Sequence, residues 1–127
     1  MKGFIMCFML IMAAQAHAQQ KTAPFEGKVF TIDNYIEGKF DNKEDLTFHQ
    51  QKLEGSVCIQ YGFEAAPYKT LKNEHGDWTF TSVMTSEEEG TLSWEGTLVD
   101  GVLSGKCLWT KEGQEEIVLT YNGKLKS

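Results

Sequence analysis

The side chains outside the N-terminal stretch with types suited to chemistry are few. They are Cys58 and Cys107, His49 and His75, and the acidic run Glu87, Glu88 and Glu89. Two cysteines in an exported chain allow one disulfide, and buried free thiols are the alternative; both lie in strand-like runs, so both readings stay open. The histidines stand alone, with no His-x-x-x-His or Cys-x-x-Cys spacing around them, so no transition-metal site is expected. Calcium wants about six converging oxygens, and three consecutive glutamates instead describe a solvated turn. There is no Gly-x-Ser-x-Gly, no phosphate-cradling glycine loop and no arginine to steady a developing anion. Glu95 and Glu116 alternate with apolar neighbours and should face solvent. General acid-base work needs a carboxyl inside a cleft, and the sequence offers no candidate. The expectation is therefore a protein that is not an enzyme and carries no cofactor.

Aromatic residues are the richer signal. Tyr61, Phe63 and Tyr68 stand in a segment, Cys58 to Tyr68, that interrupts an otherwise regular pattern with Gly62 and Pro67. They form either a lid offering rings and hydroxyls to a ligand or a structural plug. Trp78, Trp94 and Trp109 recur on the apolar side of successive runs, where they pack a core or line an apolar pocket.

The elements that position these rings are strands. Trp78, Phe80, Ser82 and Met84 alternate with polar residues, as do Leu92, Trp94, Gly96 and Leu98. Leu103, Gly105, Cys107 and Trp109, then Ile117, Leu119, Tyr121, Gly123 and Leu125, repeat the pattern. Period-two alternation is the mark of a half-buried strand. Asp100-Gly101 signals a tight hairpin turn, and Lys111 to Gln114 and Ser86 to Gly90 supply two more. Earlier strands are predicted at 28–32, 36–40, 45–49, 55–60 and 68–72, for about eight or nine in all. An apolar residue, a spacer and a glycine recur at Gly27, Gly38, Gly55, Gly96, Gly105 and Gly123. Glycine on an inner face marks places where a sheet bends sharply, which favours a closed barrel over a sandwich. An eight-stranded barrel is either filled by its own side chains or holds one small ligand.

The first eighteen residues place this domain outside the cytoplasm. Lys2, the apolar run Phe4 to Ala14 and the exit Ala16-His17-Ala18 have the order of a secretory signal peptide. The run is too short to cross a bilayer, which takes roughly 20 apolar residues, so no membrane span is expected after processing. The remainder, 19–127, suits one core. With 12 lysines, no arginine, 18 acidic residues and a formal net charge of −6, the chain is a poor partner for nucleic acid.

Cys58-x-x-Tyr61-Gly62-Phe63 with Pro67-Tyr68, then 90–97, 100–105, 109–114 and 121–126, resembles a group of small secreted bacterial proteins with a lipocalin-like, calycin-type barrel. The resemblance implies a fold and describes turns and walls rather than a reaction.

The expected protein is all-β, a single antiparallel up-and-down barrel of about eight strands, periplasmic or extracellular. It would bind a small apolar ligand through Tyr61, Phe63, Tyr68, Trp78, Trp94 and Trp109. The alternative is an interaction module or enzyme inhibitor with a solid core, acting through the 61–68 loop. The volume of the barrel interior separates the two.

Overall fold

A computed structural model describes residues 23–126. The proposed signal peptide, 1–18, lies outside the described residues. Eight strands follow in order: β1 (Val29–Ile36), β2 (Lys39–His49), β3 (Lys52–Gly55), β4 (Ala66–Lys72), β5 (Trp78–Ser86), β6 (Gly90–Val99), β7 (Val102–Thr110) and β8 (Ile117–Leu125), with one 3-10 turn, Cys58–Tyr61, between β3 and β4. Each strand pairs antiparallel with its predecessor, and β8 returns to β1, from Phe30 opposite Leu125 to Ile36 opposite Leu119. The protein is a closed eight-stranded up-and-down barrel.

The inward sets expected for β5 to β7 are those observed. Phe80, Ser82 and Met84 are buried, as are Leu92, Trp94, Leu103 and Cys107. Asp100 and Gly101 both have positive φ, 51° and 80°, as a tight hairpin with right-handed twist requires. Closure depends on bare backbone at Gly123, where an added Cβ would lie 2.6 Å from Ile32 Cα across the β1–β8 seam.

The first half differs from expectation at several points. Segment 36–40 is not a strand but the reversal between β1 and β2, with Glu37 and Gly38 at φ 51° and 79°. β1 continues to Ile36, and β2 begins at Lys39 rather than Asp45. Segment 55–60 leaves the sheet at Gly55, because the Glu44 carboxylate accepts the Val57 and Cys58 N–H groups at 3.0 and 2.9 Å and draws the chain into the 3-10 turn. Gly27 and Gly38 sit in turns with positive φ and have open space around them, so they are not inner-face bending points.

One end of the interior is solid. Phe25, in the turn before β1, is fully buried, its ring 5.1 Å from Phe48 and 5.5 Å from Phe80. Phe30 and Tyr68 complete the stack. Such tilted and edge-to-face aromatic pairs add to their area burial.

Candidate functional site

The other end is hollow. A cavity of about 420 Å³ opens there, walled by Leu92 and Trp94 of β6, Cys107 and Trp109 of β7 and Leu119 of β8, and covered by Phe63. Asn34 of β1 and Asn42 and Glu44 of β2 form its polar side, with Asp41 and Glu89 among the remaining lining residues. The wall is thinnest on the side of β3 to β5. β3 meets β4 at only two residue pairs, and β4 pairs with β5 only from Tyr68 to Lys72, so Val83 to Ser86 have no β4 partner. The 3-10 segment fills this gap, held to β5 by the Ser86 hydroxyl donating to Tyr61 O at 3.0 Å.

Two of the sequence-predicted residues of the 61–68 segment reach the cavity and one does not. Phe63 is buried against it, and Tyr61, 58% exposed, stands at its rim. Tyr68 lies at the opposite, solid end, where its ring packs 4.9 Å from Phe48 and its hydroxyl donates to Glu26 at 2.6 Å. That hydrogen bond, with further help from the Gln51 and Gln50 N–H groups, holds the Glu26 carboxyl below its usual range. Burial first, and the hydrogen bond to Glu26 next, push the Tyr68 phenol up.

The tryptophans divide in the same way. Trp94 and Trp109 line the cavity; Trp94 packs edge-on to Tyr121 at 5.3 Å, and Trp109 Nε1 donates to Glu89 O at 2.6 Å. Trp78 pairs with Leu98 and lies beneath the Lys72 ammonium at the opposite end, outside the cavity lining. β5 and β7, each antiparallel to β6 between them, run in the same direction, so the start of β5 and the far end of β7 sit at opposite ends of the barrel.

Cys58 and Cys107 are buried free thiols, so the disulfide left open by the sequence is not formed. Cys58 is held in the 3-10 turn by Glu44, whereas Cys107 belongs to β7 opposite Trp94. Burial, with the Glu44 charge secondary, pushes both thiols up.

The sequence reading missed a buried carboxyl. Glu44 is only 4% exposed, and it accepts from Asn34 Nδ2 at 3.1 Å as well as from the two backbone N–H groups. Asn34 Nδ2 also donates to Asn42 Oδ1 at 3.0 Å, so both of its amide hydrogens are used. A signal for this pair existed. Glu44 shares its parity with Leu46 and Phe48, and Asn34 with Phe30 and Ile32, but the predicted strands stopped short of both. Among the described residues, two buried side-chain atoms have no hydrogen-bond partner, Asn34 Oδ1 and Trp94 Nε1, and both residues line the cavity.

An open polar groove of about 880 Å³ runs outside the wall between the 3-10 segment and β5, with Tyr61 shared between it and the cavity. Among the described residues no group of three or more His, Cys, Asp or Glu side chains is placed to hold a metal ion. No described helix is long and apolar enough to cross a membrane.

The fold and cavity thus define a barrel that is plugged at one end and hollow at the other. Comparison with models of protein families, with curated proteins and with solved structures finds no match for this chain.

Proposed function

We propose that this chain is an exported, lipocalin-like binding barrel that holds one small, mainly apolar ligand in the open half of its interior. The observation that carries this reading is the cavity of about 420 Å³ walled by Leu92, Trp94, Trp109 and Leu119. Its volume falls within the roughly 300–1,000 Å³ of small-molecule sites, and its apolar wall with a few grouped polar atoms is the usual composition of such sites. The alternative of an interaction module required a solid core, and the hollow half speaks against it.

Two measurements test the reading. Native mass spectrometry of protein from its source should show a bound small molecule. Tryptophan fluorescence titrated with a neutral isoprenoid alcohol such as farnesol should change saturably. Failure of both, with folded protein, removes the proposal.

A further inference from the structure

We propose that the ligand is an amphiphilic amine, its apolar body against Trp94, Trp109, Leu92 and Leu119 and its protonated amino group toward Glu44 and Asn34. The inference rests on the binding reading above and adds the polarity of the ligand's head.

The polar side chains of the cavity lining, Asn34, Asp41, Asn42, Glu44 and Glu89, are rich in acceptors. Asn34 spends both amide hydrogens on Glu44 and Asn42, which leaves its Oδ1 turned away from them and without a donor. Glu44 is deeply buried, and among the described residues no cation lies within ion-pairing distance of it or of Asp41. The remaining acid of the lining, Glu89, is paired with Lys111 at 3.2 Å. No lysine or histidine lines the cavity, and the chain has no arginine.

A buried carboxylate without a counter-ion is costly, and a ligand that brings the opposite charge removes part of that cost. An ammonium offers up to three donors and no acceptor, complementary to Asn34 Oδ1 and the Glu44 oxygens. Trp94 and Trp109 in the lining supply aromatic rings, which also favour a cation. A fatty-acid carboxylate would instead meet Glu44 as a like charge in a site of low dielectric constant. A bare metal ion lacks a site, because the wall is mainly aliphatic and aromatic.

The test is a headgroup series of one chain length: decylamine, decanol and decanoate titrated calorimetrically into the mature chain at pH 7, below their aggregation concentrations. Decylamine should bind about tenfold or more tighter than decanol, with decanoate weakest. In Glu44→Gln, shown to be folded by near-ultraviolet circular dichroism, the roughly tenfold advantage of the amine over the alcohol should disappear. Because Glu44 also holds the 3-10 turn, the order in the unaltered protein decides alone if that variant does not fold. Equal affinities, or decanoate tightest, overturn the amine assignment and leave the binding barrel standing. Retention of the amine's advantage in folded Glu44→Gln overturns it too. Absence of binding by all three compounds removes the cavity reading itself.

Discussion

Replacing Phe25 by Ala measures how far the barrel depends on its plug. The ring is fully buried and lies within 6.5 Å, centroid to centroid, of Phe30, Phe48, Tyr68 and Phe80. A buried aromatic side chain removes roughly 150–250 Å² from water, and at about 25 cal/mol per Å² its transfer is worth about 4–6 kcal/mol. Ala retains a fraction of that, and the surrounding strands are hydrogen-bonded on both sides and collapse little into the void. The expected loss is about 4 kcal/mol, within the usual range for Phe-to-Ala changes in cores. For a domain of this size it should lower Tm by about 15 °C. Thermal and urea unfolding followed by circular dichroism give the value. Phe40→Ala is the control: Phe40 is 59% exposed, and its change should stay within about 0.5 kcal/mol. Ligand titration below the transition should be preserved in Phe25→Ala, because the cavity lies at the far end. A loss no larger than that of Phe40→Ala would show that the 24–27 turn does not seal the barrel, and the account of a plugged end would fall.

Gly123→Ala should cost about 1–3 kcal/mol or more in urea unfolding, since its methyl meets the Thr31 and Ile32 backbone across the closing seam. Gly113→Ala, in open space at φ 82°, should lose only about 1 kcal/mol from backbone strain. Cys58 and Cys107 should resist iodoacetamide at pH 8 in the folded protein and react promptly in denaturant, because burial raises both thiols and leaves little thiolate; fast alkylation of either in the native protein would show that the thiols are not packed inside the barrel. Acid stability should depend on Glu26, held low mainly by the Tyr68 hydroxyl, and on Asp45, held low by Lys126 and then Thr31. A depressed folded pKa gives stability that is present above the unfolded values near pH 4 and is lost as pH falls through the lower folded values. Glu26→Gln should therefore destabilise at pH 7 and flatten the acid limb of the curve; an unchanged limb contradicts the Tyr68 contact. Trp78→Phe should keep the fluorescence response to ligand, whereas Trp109→Phe should diminish it.

The all-β content, the hairpin order from β5 to β8 and the inner faces of β5 to β7 were legible in the chain itself, whereas Leu125 of β8, expected inward, is half exposed. Each of those strands alternates cleanly, and Asp100-Gly101 has the backbone freedom that a tight reversal needs. Such information is local, carried by residues two apart and by single turns. The limits of β1 and β2 were not legible, because Asn34 and Glu44 are polar at inward positions and alternation of hydrophobicity ends there. Their burial is tolerable only because groups distant in sequence, the Val57 and Cys58 N–H groups and the Asn42 side chain, supply the hydrogen bonds. Which end of the barrel is hollow was likewise decided by tertiary structure. Tyr68 and Trp78 share the solid end with Phe25, and Tyr61, Phe63, Trp94 and Trp109 surround the space at the other. Hydrophobic alternation assigns a side chain to the inside of a barrel but not to a height along its axis; strand register, and a phenylalanine from a turn outside the sheet, set that height and left one half of the interior open.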